Sequence, residues 1–205
     1  MANHLRFNYG PMASSKTLRL LALAHDLDEK GIQIMVLKPS IDNRDGEGII
    51  KSRAGLQRKC AMFDKDDNLY KAIKAYRNVL ASQLEKLRWV LIDEAQFLTE
   101  EQVDQLSDAV DNLDVDIACF GLRTDFMSRM FPGSKRLFEL ADDIEEIKST
   151  CPCGERKTSV NARFDSDNNI VTDGEQVLVG GDDKYTALCR KCWKRLCADS
   201  GRPTE

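Results

Sequence analysis

The segment Gly10-Pro11-Met12-Ala13-Ser14-Ser15-Lys16-Thr17 constrains the fold of this chain more than any other stretch. It matches the phosphate-loop pattern G-x-x-x-x-G-K-[ST] at every fixed position except the second glycine, where Ser15 stands. Such a loop needs a strand before it and a helix after it. The turn aims backbone N–H groups at phosphate oxygens, and the helix N-terminus adds a favourable partial charge. Both flanks fit. Leu5-Arg6-Phe7-Asn8-Tyr9 alternates apolar and polar residues, and Leu20, Leu21, Ala24 and Leu27 recur at helical spacing until Gly31. In that setting Lys16 reaches the β and γ phosphates of a nucleotide and the Thr17 hydroxyl ligates Mg²⁺. An ordinary strand-to-helix turn is the alternative, and the flanking elements argue against it. With Lys16 and Thr17 in register, we expect the backbone at Ser15 to be near-helical, leaving its hydroxyl available to cap the helix.

The following residues continue the alternation. Ile32 to Leu37 reads as a buried strand ended by Lys38-Pro39, and residues 40–58 as a polar, glycine-containing mobile loop. Leu69, Ile73, Tyr76, Leu80 and Leu84 define one face of a second helix. Trp89-Val90-Leu91-Ile92 has the pattern of a strand buried on both faces. Thr99 and Gln102 form a capping box that opens a helix with Val103, Leu106 and Val110 inward. Val115 to Phe120 is a further buried strand. Strands alternating with helices imply an α/β domain with a parallel sheet.

Asp93-Glu94 ends the strand at 89–92, and ligands in parallel sheets bind at the carboxyl ends of strands. One carboxylate there can hold Mg²⁺ through water and the other can act as a general base; a helix-start acidic pair is the plainer reading. With the phosphate loop, the pair makes ATP chemistry the leading expectation. Asp42, Arg44, Lys51 and Arg53 could face a phosphate or simply be solvated, and Phe126 and Phe131 could line a pocket or pack.

Thirty basic and 34 acidic side chains give a net charge of −4, which argues against a dedicated nucleic-acid or anionic-membrane binder. No apolar run approaches the roughly 20 residues needed to span a bilayer. The N-terminal residues lack the features of a signal peptide, so a cytoplasmic location is expected. Of seven cysteines, Cys151, Cys153, Cys189, Cys192 and Cys197 lie in the last 55 residues. An odd count does not suggest a disulfide framework. The close pairs Cys151/Cys153 and Cys189/Cys192 suit a tetrahedral structural zinc site, with Cys197 left as a core thiol. The change in texture places a boundary near 150: residues 1–150 form the nucleotide-binding α/β unit and 151–205 a small β-rich, metal-stapled unit.

The loop Y-G-P-M-x-S-x-K-T, then D-E-x-Q-F-L, then G-L-R-T-D-F, then two cysteine pairs flanking V-G-G-D-D-K-Y, together resemble the type II, zinc-containing thymidine kinases, from about residue 5 to about 197. The resemblance implies a P-loop, RecA-like parallel sheet with helices on both faces, followed by a zinc-bound lasso domain that closes over the nucleoside. It implies transfer of the ATP γ-phosphate to the 5′-hydroxyl of thymidine to give dTMP, feedback inhibition by dTTP, and a homotetramer. On that pattern Glu94 matches the general base and Asp93 the magnesium-associated carboxylate. Gln96 falls at the nucleotide site, and Gly10 through Thr17 at the phosphates. Phe126, Tyr185 and the lasso segment Gln176, Val177, Leu178, Val179 and Gly180 match the thymidine pocket. Cys151, Cys153, Cys189 and Cys192 match the zinc ligands. A nucleotide-binding regulator without transfer activity and a zinc-ribbon ATPase acting on DNA are the rival readings; Ser15 favours the first and the acidic charge balance opposes the second.

Overall fold

The computed structural model of the protein describes residues 3–176 and 185–199. Strand β1 (Leu5–Tyr9) runs through the loop into helix α1 (Lys16–Glu29), then β2 (Gln33–Pro39), a hairpin of β3 (Ile49–Lys51) and β4 (Gln57–Lys59), and β5 (Ala61–Phe63). Next come α2 (Leu69–Ser82), β6 (Leu87–Ile92), a 3-10 turn at Ala95–Phe97, α3 (Glu100–Leu113), β7 (Asp116–Gly121), α4 (Pro132–Leu140) and β8 (Asp143–Glu146). The main sheet has six strands in the order β5-β2-β6-β7-β1-β8, and every pairing in it is parallel.

Parallel strands are joined by crossovers, so both faces of the sheet are covered. Leu20, Leu21, Ala24 and Leu27 of α1 pack on one face with Val36, Leu91 and Ala118. The other face buries Leu69 and Ile73 of α2, Val103, Leu106 and Val110 of α3, and Leu137 of α4. Val90, Leu91 and Ile92 of β6 are fully buried, the result expected for an apolar run at the centre of such a sheet. Each fully buried Leu or Val contributes about 1.5–3 kcal/mol from water exclusion. The capping box forms as read: the Thr99 hydroxyl accepts from Gln102 N–H, and the Gln102 side chain accepts from Thr99 N–H. Gly31 takes φ +67° just after α1, the left-handed turn that stops it.

Two expectations about the first half fail. Residues 40–58 are not a bare loop: Ile49–Lys51 pairs antiparallel with Gln57–Lys59, and buried Ile50 packs with the α1 face of the sheet. Helix α2 ends at Ser82, so Leu84, at φ 62°, falls outside it and is 98% exposed. The helix stops two residues before the apolar pattern does.

The second unit is a three-stranded antiparallel sheet, ordered β10-β9-β11, with a helix. Its elements are β9 (Val160–Phe164), β10 (Ile170–Val171), β11 (Tyr185–Leu188) and α5 (Arg190–Asp199). The turn read at Asp165–Asn169 closes β9 onto β10: Asp165 N–H donates to Asn169 O at 3.0 Å, and Asn168 takes φ 61°. Its buried cluster is small: Cys151, Ala162, Ile170, Leu188, Cys189 and Cys197.

Candidate active site

The carboxyl ends of β1, β2 and β6 open on one cavity of about 710 Å³. Met12 through Thr17 form one wall, Asp93, Glu94 and Gln96 the floor beside it, and Arg44 reaches in from the segment after β2. Phe126, Gln176 and Tyr185 lie on the same cavity from the side of the second unit. Gly10 and Pro11 begin the loop without lining the cavity. Val177, Leu178, Val179 and Gly180 lie outside the described residues.

Gly10 is fixed by close approach: a Cβ there would sit 2.4 Å from Ser14 Oγ and 2.6 Å from the Ile147 carbonyl. Met12 N–H donates to Asn161 Oδ1 at 2.8 Å. Ser15 differs from its expectation. Its backbone is left-handed, φ 65° and ψ 25°, and its hydroxyl makes no capping bond. The position calls for the geometry glycine adopts without penalty, and serine carries the strain. Ala13, at φ 57°, shares it. Next to it, the Ser14 hydroxyl is buried and has no hydrogen-bond partner among the described residues.

Lys16 is buried at the start of α1, with Nζ donating to the Pro11 carbonyl at 2.7 Å. Burial holds its ammonium below the usual lysine range, while the charges of Glu94 and Asp93 oppose that shift. Thr17 Oγ1 donates to Asp93 Oδ2 at 3.0 Å. Burial, and then the neighbouring Glu94 charge, push Asp93 up to about 7. A cation or phosphate-bound metal at this point would relieve both effects.

Glu94 has φ 50°, so the chain turns sharply as β6 ends and its side chain swings into the cavity. One carboxylate oxygen accepts from Arg44 Nη2 at 2.5 Å and the other from Gln96 Nε2. Gln96 is itself fixed, its Oε1 accepting from Leu122 N–H at 2.9 Å. Arg44 Nε donates to Asp42 Oδ1 at 2.7 Å, and Asp42 lies 3.6 Å from buried Lys38 Nζ. Burial works against the Asp42 carboxylate, but the Arg44 hydrogen bond and charge, with Lys38, outweigh it and hold Asp42 below its ordinary value. A row of alternating charges thus sets the orientation of Glu94.

On the opposite side, Phe126 is buried under the Arg163 guanidinium, 5.0 Å from its ring centre. Gln176 Nε2 donates to Asp125 Oδ2 at 2.9 Å. Tyr185 is half-buried, and burial raises its phenol above the usual value. Phe131, which could line a pocket or pack, does both: it is buried and lines the cavity. Sequence reasoning missed Asp125, Asn161 and, apart from Arg53, the Ser52–Gly55 tip of the β3–β4 hairpin, all on the cavity wall. The hairpin tip carries Arg53 in a basic stretch, the one signal that pointed to it.

The four cysteines read as metal ligands converge. The sulfurs of Cys151, Cys153, Cys189 and Cys192 all lie within 4.8 Å of one another. A tetrahedral Zn–S site with bonds of about 2.3 Å needs sulfurs about 3.8 Å apart, so the set fits one ion after a small contraction. Cys192 N–H points at Cys189 Sγ, 3.5 Å away, and brings that thiol down to about 7. Among the described residues, no helix is long and apolar enough to cross a membrane.

Comparison with known proteins agrees with this geometry. The family model described as thymidine kinase matches residues 3–193. A thymidine kinase of Mannheimia succiniciproducens is 42% identical over 191 residues, 93% of this chain and 95% of that protein. One from Legionella pneumophila is 42% identical over 93% of this chain and 89% of its own. One from Ruegeria pomeroyi is 40% identical over 96% of both. Among solved structures, the Pif1 helicase of Candida albicans aligns with a TM-score of 0.41 and 15% identity, over 72% of this chain and 36% of that one, and bears on nothing further. Matched from its first strand to its last helix, the chain belongs to the thymidine kinase family.

Proposed function

We propose that this chain transfers the γ-phosphate of ATP to the 5′-hydroxyl of thymidine, giving dTMP in nucleotide salvage. The observation that carries the reading is the convergence of the Lys16–Thr17 loop, Asp93 and the oriented Glu94 on one cavity whose far wall is Phe126, Gln176 and Tyr185. Phosphoryl transfer needs alignment and charge neutralisation more than covalent chemistry. Lys16 leaves the Pro11 carbonyl to pair with the β and γ phosphates, and the amides of Met12 through Thr17 surround them. Asp93 and the Thr17 hydroxyl are the residues that would hold Mg²⁺. Bound there, the ion would neutralise charge on the transferring group. Glu94, released from Arg44, accepts the 5′-hydroxyl proton. Gln96 keeps the Glu94 carboxylate in place, and Arg44 then faces the phosphates.

The base stacks against Phe126, and Tyr185 with Gln176 through Gly180 closes over the nucleoside, excluding water as a competing acceptor. On this reading residues 1–150 serve the nucleotide and 151–205 the nucleoside, with the latter unit held together by zinc on Cys151, Cys153, Cys189 and Cys192. dTTP occupies the thymidine pocket with its phosphates toward the donor site, and inhibits in competition with thymidine. The working form is a cytoplasmic homotetramer that needs neither nucleic acid nor membrane.

Radiolabelled phosphate transfer from ATP to a panel of deoxynucleosides tests the proposal. Label appearing in dTMP is the expected result. ATP binding without transfer to any nucleoside would establish the regulator reading, and salt-dependent DNA binding with DNA-stimulated ATP hydrolysis the third.

A further inference from the structure

Strand β9 touches both sides of the cavity. Asn161 is 4% exposed, and its amide is used at both ends: Oδ1 accepts from Met12 N–H at 2.8 Å, and Nδ2 donates to the Thr124 carbonyl at 3.1 Å. It therefore ties the second unit to the phosphate loop and to the segment after β7. Arg163, two residues along the same strand and so on the same face, lies over Phe126 and donates to the Glu175 carbonyl at 3.2 Å. Glu175 precedes Gln176, which is bonded to Asp125. Asn161 thus lies one strand step from the side chain that covers Phe126.

We propose that Asn161 is a positioning residue that couples nucleoside binding to the shape of the phosphate loop. The inference rests on the proposed function, because it takes the two ends of the cavity to hold ATP and thymidine. A nucleoside settling against Phe126 and Tyr185 fixes Arg163 and with it β9. Asn161, on that strand, then holds the Met12 amide and the loop after it in one geometry. Part of the ordering that ATP would otherwise impose is already done, so each ligand tightens the other by the same factor. Asn161 itself lies on the cavity wall, and in this scheme it acts through the backbone of Met12 and Thr124. Its backbone partners can be held only by a side chain with both an acceptor and a donor.

The test measures binding of a non-hydrolysable ATP analogue with Mg²⁺, with and without saturating thymidine, by calorimetry on the full chain. In the natural protein thymidine should lower the analogue's Kd by about fivefold or more, the low end of ordinary coupling between sites. In Asn161→Ala and in the milder Asn161→Ser, which cannot span both partners, that factor should fall to within twofold of one. A residue that only supports the fold would lower the melting temperature and leave the coupling factor unchanged, and that result overturns the proposal. So does a natural protein that binds both ligands independently. Failure of the natural protein to bind either ligand would instead overturn the functional reading. Hydrogen exchange of the Met12 amide needs no variant: thymidine should slow it at least fivefold, and an unchanged rate rejects the coupling.

Discussion

Replacing Ser15 with glycine should make this protein more stable, an unusual outcome for a substitution inside a phosphate-loop motif. Ser15 lies at φ 65° and ψ 25°, is exposed, and caps nothing with its hydroxyl. A left-handed conformation costs a residue with a Cβ about 1–2 kcal/mol. Glycine removes that cost but gives the unfolded chain more freedom, worth about 0.4–1 kcal/mol in the other direction. The difference is a net gain of roughly 0.5–1 kcal/mol, which for a chain of this size raises the melting temperature by about 1–4 °C. Calorimetry and urea unfolding of the ligand-free protein read it directly. Ser15→Ala is the control: it keeps the Cβ and removes a hydroxyl that makes no capping bond, so its stability should match the natural protein within about 0.5 kcal/mol. The loop already has the left-handed turn that a glycine would permit. The KM for ATP should therefore change by less than tenfold, about 1.4 kcal/mol, in Ser15→Gly. A glycine variant that melts lower than the natural protein would refute the assignment of strain to this residue. ATP binding absent in the natural protein and restored by glycine would refute the kinase reading as well.

Three further outcomes follow from the site. Glu94→Gln keeps the shape and the Arg44 contact but cannot accept a proton, so kcat should fall about 100-fold or more in a chemistry-limited assay; an unchanged kcat would remove Glu94 from that role. Purified protein should carry about one zinc per chain, and Cys189→Ser should lose it together with ordered folding of the second unit, since metal binding there is coupled to folding; a metal-free protein fully active after chelation would contradict this. Asp93 is raised from 3.8 to about 7 by burial and by Glu94. Its contribution to ligand-free stability is thus complete below about 4 and lost as pH rises through about 7. Urea melts at pH 5 and pH 8 should show that decline in the natural protein and a flatter profile in Asp93→Asn; parallel profiles would reject the buried-carboxylate assignment.

The parts of the fold legible in the sequence are those whose cause is local. The β6 run Trp89-Val90-Leu91-Ile92 is apolar because both faces of a central strand are covered, and the capping box at Thr99 and Gln102 lies within one helical turn. The four sulfurs were legible because short spacing brings each pair together before any folding is considered. The β3–β4 hairpin was hidden because its strands, Ile49-Ile50-Lys51 and Gln57-Arg58-Lys59, are only three residues long, the second is wholly polar, and Ile50 is held by α1 rather than by a neighbour in sequence. Strand β8 was hidden for a related reason: as a sheet edge it carries Asp143, Glu145 and Glu146, charges that discourage further pairing but carry no strand pattern. Asn161 left no signal, since its partner is a backbone amide 149 residues away.

Ser15 failed its expectation for a physical reason that extends to the whole site. Of the non-glycine residues with positive φ among the described residues, Ala13, Ser15 and Glu94 all line the one large cavity. Strain of this kind persists where the surroundings leave no alternative. Glu94 is clamped by Arg44 and Gln96. Ala13 lies between Met12, pinned by Asn161, and the buried Ser14, which is packed against Gly10 so tightly that position 10 tolerates no Cβ. Ser15 leads into a helix whose Leu20 and Leu21 are buried against the sheet. The groups that set the geometry therefore lie behind the binding surface rather than on it. They hold the loop and the carboxylate in place before any ligand arrives, at a cost in stability that the core on both faces of the sheet can absorb. A pattern of loop residues records which groups line the cavity; the contacts that fix their shape come from Ile147 after β8, from β9 and from the segment after β2, and become visible only when the chain is folded.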